Sequence, residues 1–294
     1  MTLSGSQGAK LRATRAVIEA RQKGLQAALA TWLTRMARIY AREGVADIDA
    51  LLGRQIIKAA DNGPVDEHGN LRSDLIALLR RYGIRTAADA ANGTAGEVIY
   101  KPNMVADAMA GKPVKIKWFW EYDQGVIARA DDVMRSTKTD VREYVRSLVT
   151  GAMNESPQPS VGEVARRIRN TLYSGAPDKT SEQGRVFTFS SERAAIIART
   201  EIAQAHAAGQ AEGYYATSDD NDELEWLAYA GGGRGHEKMS GERITIADSK
   251  SSDSSRWFHL PSGNDLRYPC DVNAPIGDTI NCRCDVRKIS AKVR

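Results

Sequence analysis

The sequence predicts a mainly α protein with long N-terminal helices and a C-terminal α+β module. Three observations predict it. Apolar residues recur at spacings of three, four and seven over most of the first 217 positions. Aromatics are only 6% of the 294 residues, which with abundant alanine favours helices over a sandwich or barrel. After residue 217 the composition turns to Gly, Ser, Asp and Pro, the residues of turns and short strands. The division read from this is 1–122, an N-terminal helical region with a basic arm at 1–45; 123–217, central helices; and 218–294, an α+β module.

The first element is a helix over 9–43, with Leu11, Ile18, Leu25, Leu29, Trp32, Leu33, Met36 and Tyr40 on one stripe and Gly44 as its stop. A second helix is expected from Ile48 to Ala60, then turns at Asn62-Gly63-Pro64 and Glu67-His68-Gly69-Asn70. Leu71–Tyr82 reads as a short helix stopped by Gly83, with a further helical turn over Thr86–Asn92. Val98–Gly111 reads as helical, with Pro102 limiting where it begins. Val114–Trp120 alternates apolar and polar residues, as a strand or an extended packing segment would. Gln124–Asn154 is the next long helix. Ser160 and Glu163 form a capping-box pattern for a helix to Tyr173, and Ser190 is an N-cap candidate for a helix to Ala216. Leu224–Ala230 and Arg243–Ile246 read as strands, and Lys250–Ser255 as a flexible loop.

The formal charge is +4. Residues 1–45 carry Lys10, Arg12, Arg15, Arg21, Lys23, Arg35, Arg38 and Arg42 against Glu19 and Glu43, so the arm is +6 and the rest is −2. The longest uncharged runs, Gly24–Thr34 and Ile202–Ala211, are eleven and ten residues, against about 20 for a bilayer span. No membrane span is expected. The first ten residues lack the apolar core and cleavage site of a secretory signal. Cys270, Cys282 and Cys284 are odd in number and clustered late, unlike the framework of a secreted disulfide scaffold. A reducing cytoplasm fits them.

Three constellations carry candidate chemistry. Arg193, Arg199, Glu201 and His206 lie on one helix. Arg199 and Glu201 are two apart and do not face each other, so each needs a partner elsewhere. The helix reads as a clamp for the C-terminal module, or as the carrier of a catalytic glutamate. Gly231–Gly233 followed by Arg234, His236, Met239 and Gly241 lacks the spacing of a phosphate loop and reads as a glycine-assisted turn. Cys270, Cys282 and Cys284 with His236 or His259 offer four ligands for structural zinc. The same cysteines also read, first, as small buried hydrophobes packed in a tight turn, or as a disulfide. No Gly-x-Ser-x-Gly elbow or His-Glu-x-x-His pair is present. The Leu25/Leu29/Trp32/Leu33/Met36/Tyr40 stripe is a candidate partner-binding face. Lys10, Arg12, Arg15, Arg21, Lys23, Arg35 and Arg38 are candidate DNA-binding cations.

One ordered set of short motifs resembles a known family. Ile197-Ala198-Arg199-Thr200-Glu201 is followed by Gly209, Gly213 and Trp226. Arg234-x-His236-x-x-Met239-x-Gly241 comes next, then Tyr268-Pro269-x-Asp271, and finally Ile280-Asn281-Cys282-Arg283-Cys284. Their order and spacing over residues 123–287 resemble the phage Mu F-like minor head proteins, related to the SPP1-type minor capsid proteins of tailed bacteriophages. The resemblance implies a non-enzymatic minor virion component, made in the host bacterial cytoplasm and built into the head. It implies association with the portal protein, with the major capsid or scaffolding protein as further partner and packaged DNA as a possible contact. Its implied work is head assembly, DNA packaging or DNA ejection. Arg199, Thr200, Glu201, Gly209, Trp226, Arg234, His236, Gly241, Asn281, Cys282, Arg283 and Cys284 become structural motif residues. Many relatives carry Cys-x-x-Cys near Arg234–Met239, and glycine is common where this chain has Cys270. Two other classes stand beside this reading. One is a metal-dependent or transferase enzyme using Glu201, His236 and the cysteines. The other is a DNA-binding virion protein acting through the arm.

Overall fold

The computed structural model describes residues 5–45, 71–112, 114, 123–137, 151, 154–157, 160, 163–164, 166–167, 191–228 and 235–291. The expected helix at Ile48–Ala60, the turns at 62–70, most of Val114–Trp120, Ser190, and the Gly231–Arg234 run lie outside these residues, as do the side chains of Lys10, Arg12, Tyr40 and Arg42. The described fold is mainly helical, with short strands confined to the C-terminal region. It divides into two compact units. One comprises Met1–Leu25, Leu79–Val126 and Ile196–Arg294, the other Gln26–Leu78 and Ile127–Ala195.

Helix α1, Gly5–Val45, matches the 9–43 stripe. In the second unit its Leu29, Trp32, Leu33 and Met36 are buried, as are Leu71 and Leu75 of helix α2, Leu71–Ala95. The Trp32 indole N–H donates to the Leu71 carbonyl at 3.0 Å, and Arg35 pairs with Asp74 at 2.6 Å. Residues 123–137 are helical. Asp131 there accepts both donors of Arg72, at 2.6 and 3.0 Å. Arg193 donates to Ser136 and Thr137. The Ser160 hydroxyl accepts the Glu163 N–H at 3.2 Å, as the cap pattern predicted. The Glu163 carboxylate pairs with Arg166 and Arg167 instead of closing the box.

Helix α2 corrects one expectation. It runs through Gly83 to Ala95 as a single element. Gly83, Ile84, Ala87, Ala88 and Ala91 are all buried, so packing outweighs the roughly 1 kcal/mol helix penalty of one glycine. Gly96, at φ 75°, ends the helix and returns its N–H to Asn92 O. Asn92 also brackets the backbone of Tyr100, accepting its N–H at 2.8 Å and donating to its carbonyl at 3.0 Å. Helix α3, Pro102–Met109, starts at the proline, whose missing N–H costs nothing at a first helical position.

Helix α4, Ser191–Thr217, meets α2 within the first unit through small residues. A Cβ on Gly209 would overlap the Ala87 carbonyl, and one on Gly213 would sit 2.7 Å from the Ala91 carbonyl oxygen. The module beyond α4 has a sheet of three antiparallel strands in the order β2-β1-β5: β1 Glu223–Leu227, β2 Arg243–Thr245 and β5 Asp285–Ile289. The expected strand at 224–230 therefore begins one residue earlier and stops at Leu227. Strands β3, Phe258–His259, and β4, Asp265–Leu266, form a separate hairpin. The core joins Leu224, Trp226, Met239, Ile246, Phe258, Leu260, Leu266 and Val286. Trp226 meets Phe258 edge-to-face at 5.2 Å. Glu225, between the two core-facing residues of β1, lies opposite Arg243 on one neighbour and Arg287 on the other and pairs with both. The 250–255 segment is not a featureless loop. Helix α5, Ile246–Lys250, has a Thr245/Asp248 capping box, and Asp253 caps a 3-10 turn over Ser254–Arg256.

Candidate metal centre

His236 opens a 3-10 turn, His236–Met239, behind Gly235 in the left-handed region at φ 76°. That turn is tied to the sheet. Gly241, at φ 91°, donates its N–H to Trp226 O, and Trp226 N–H donates to Glu242 O, both at 2.9 Å. The His236 ring is buried and stands edge-on to Trp226, centroids 5.9 Å apart. Its Nδ1 faces the sulfurs of Cys282 and Cys284, each at 3.7 Å.

The two cysteines arrive from the opposite side of the sequence. Short helix α6, Ile276–Thr279, ends with Cys282 N–H donating to Thr279 O at 3.0 Å. Asn281 turns the chain at φ 56°. Its N–H donates to the Thr200 hydroxyl at 2.9 Å, and its side-chain oxygen accepts from Arg199. The Thr200 hydroxyl in turn donates to Ile196 O at 2.8 Å. Arg199 and Thr200 of α4 thus anchor the Cys-x-Cys turn. Arg199 has its partner elsewhere in the chain, as the spacing required. Within the turn the Cys284 N–H donates to the Cys282 sulfur at 3.4 Å.

His236, Cys282 and Cys284 place their ligand atoms within 4.8 Å of one another. A tetrahedral ion bonded at about 2.3 Å to sulfur and about 2.0 Å to nitrogen separates those atoms by about 3.5 Å. The 3.7 Å seen here fits. One imidazole with two sulfurs is also the soft donor set that selects zinc over oxygen-loving cations. The Cys282 thiol is held far below its usual range. The Cys270 thiol's hydrogen bond is the largest cause, followed by that of Cys284 and by the Cys284 and His236 contacts, against the opposing effect of burial. The matching hydrogen bond and full burial push Cys270 well up. His236 Nε2 and Trp226 Nε1 are buried with no hydrogen-bond partner among the described residues.

The cysteines are all free thiols, so the disulfide reading is not the state seen. His259 does not join the group. It is exposed, pairs with Asp265 at 2.6 Å, and that contact, opposed by desolvation, raises its pKa. Glu201 is buried on α4 and is not among the three clustered donors. Gly209 packs against α2, Arg283 is exposed, and Arg234 lies outside the described residues.

The arm's residues are placed differently from the sequence reading. Leu25, Leu29, Leu33 and Met36 are 0% exposed and Trp32 is 6%. They form the protein's own core, so they offer no surface to a partner. Arg15 pairs with Glu19, Arg21 with Asp89 and Arg35 with Asp74. Lys23 and Arg38 are exposed. The sequence stripe was real, but periodicity alone does not say whether the covering surface belongs to the same chain. Asn281 and Asp271 stand in the quoted motifs, but the spacing does not show that Asn281 anchors on Thr200 or that Asp271 pairs with Arg267.

No protein-family model, curated protein or solved structure matches the chain. No helix among the described residues is long and apolar enough to cross a membrane.

Proposed function

We propose that this chain is a minor head protein of a tailed bacteriophage, acting as a non-enzymatic adaptor in head assembly, DNA packaging or ejection. The observation that carries the reading is the convergence of separated motif residues on one unit. Arg199 and Thr200 hold Asn281. Trp226 exchanges backbone hydrogen bonds with the Gly241 turn, and His236 faces Cys282 and Cys284. These are the residues on which the resemblance to Mu F-like proteins rests, and their contacts supply a physical reason for their shared order. In this reading the module is a rigid tile and its His/Cys donors hold a structural zinc ion. Such a site adds stability to a module whose sheet has only three strands.

The partners in this reading are the portal and the major capsid or scaffolding protein. Packaged DNA has only a limited claim, because three arm arginines are already paired within the chain. The test is to purify assembled heads and to measure this chain's copy number against the portal. A few copies per head and co-purification with isolated portal are expected. A chain absent from purified heads overturns the proposal. Zinc is tested separately by metal analysis of the purified protein.

A further inference from the structure

Both ring nitrogens of His259 face atoms that can only accept a hydrogen bond. Nδ1 lies 2.6 Å from a carboxylate oxygen of Asp265, and Nε2 lies 3.1 Å from the backbone carbonyl oxygen of Ser255. A neutral imidazole carries one N–H and one lone pair, whichever tautomer it takes. In either tautomer one of the two contacts would set lone pair against lone pair. The imidazolium, with a donor on each nitrogen, satisfies both acceptors.

The two acceptors belong to different pieces of the chain. Asp265 opens strand β4 and stands opposite His259 of β3 in the hairpin register. Ser255 sits in the 3-10 turn Ser254–Arg256. The ring therefore spans from the hairpin to the turn. The other charges around it are engaged elsewhere. Arg256 of the turn pairs with Asp248 of α5 at 2.5 Å. Asp253, which caps the turn, accepts from the N–H and the hydroxyl of Ser255. Lys250 pairs with Asp220, and Arg267 with Asp271. Asp265 is the charge that acts on the ring. Its hydrogen bond is the largest cause of the raised His259 pKa, opposed by desolvation and assisted by its charge and by the Ser255 carbonyl.

We infer that His259 is a proton-operated latch, whose imidazolium ties the Ser254–Arg256 turn to the β3–β4 hairpin and whose neutral form releases the turn. On losing a proton the ring keeps Nδ1–H on Asp265, because a hydrogen bond to a carboxylate is stronger than one to a neutral carbonyl. The lone pair on Nε2 then repels the Ser255 carbonyl. A histidine whose folded pKa lies above its unfolded one adds stability below the unfolded value, and that stability is lost as the pH rises through the folded value. The latch is therefore closed on the acid side and open above the folded pKa. The side chain is 63% exposed, so the proton exchanges with solvent without unfolding. Solvent screening keeps the contact weak, and its effect is confined to the turn.

The test is a pH titration of the full-length, 15N-labelled protein by NMR, across the range from about pH 5 to about pH 9 that brackets a histidine. Long-range 1H–15N spectra read the protonation of each ring nitrogen, and the amide peaks of Ser255, Arg256 and Trp257 report the turn. The expected His259 midpoint lies above 6.5, with both nitrogens protonated below it. The three amides are expected to shift with that same midpoint. Asp265→Asn removes the charge and should lower the ring and turn midpoints together. His259→Gln should abolish the response of the turn over this range. A His259 midpoint at or below 6.5 overturns the latch. Turn amides that ignore the ring's midpoint, or that still titrate in His259→Gln, overturn it as well.

Discussion

The backbone N–H of Asn281 donates to the hydroxyl of Thr200 at 2.9 Å, joining α4 to the Cys-x-Cys turn across 81 residues of sequence. The hydroxyl does two jobs, since it also donates to Ile196 O. Thr200→Val keeps the shape and removes the acceptor. A desolvated N–H left without a partner costs about 1–3 kcal/mol, so urea unfolding should show a loss of that size. Thr200→Ser should recover most of it. A valine variant as stable as wild type would show that this contact does not hold the turn.

Gly209 carries the next prediction. Alanine is normally better than glycine in a helix by about 1 kcal/mol. Here the added Cβ would overlap the backbone carbonyl of Ala87, which cannot swing aside as a side chain can. Overpacking of this kind costs about 1–3 kcal/mol, so Gly209→Ala should destabilise despite the propensity gain. Gly93 is a control in the same unit, because a Cβ there meets nothing within 4 Å. Gly93→Ala should be neutral or stabilising in the same thermal melt.

The sequence made the helices legible where they repeat an apolar stripe, as along Leu25–Met36. It gave no means of knowing that α2 would cover Gly83 and continue, because burial of that glycine depends on distant residues. The candidate centre was legible as residue types: His236, Cys282 and Cys284 stand out by chemistry, and the structure clusters these three. What the chain could not reveal is which histidine arrives. His236 and His259 were equivalent on spacing. Only the Gly235 and Gly241 turns, which seat His236 against Trp226, separate it from His259, which turns outward to Asp265.

Glu225 predicts a pH dependence. Burial opposes its ionisation, but the hydrogen bonds and charges of Arg287 and Arg243 outweigh burial and lower its pKa from 4.5. A carboxylate whose folded pKa lies below its unfolded one contributes stability above the unfolded value. That contribution is lost as the pH falls through the folded value. Glu225→Gln should therefore destabilise at pH 7 and converge on wild type as acid is added below about pH 4.5. Parallel stability curves for the two proteins across that range would refute the assignment.

Arg267 separates charge from geometry. Its two donors meet both oxygens of Asp271 while its flat face lies on Trp257 and Tyr268. Lysine preserves the charge but provides neither the paired donors nor the planar stack. Losing one hydrogen bond to a charged group costs about 1.5–3 kcal/mol, the loss expected for Arg267→Lys. Arg267→Ala leaves the Asp271 carboxylate, 2% exposed, without its cation and should cost about 3–5 kcal/mol. A lysine variant as stable as wild type in urea, with only the alanine variant destabilised, would mean that the charge, and not the paired geometry, fixes this turn.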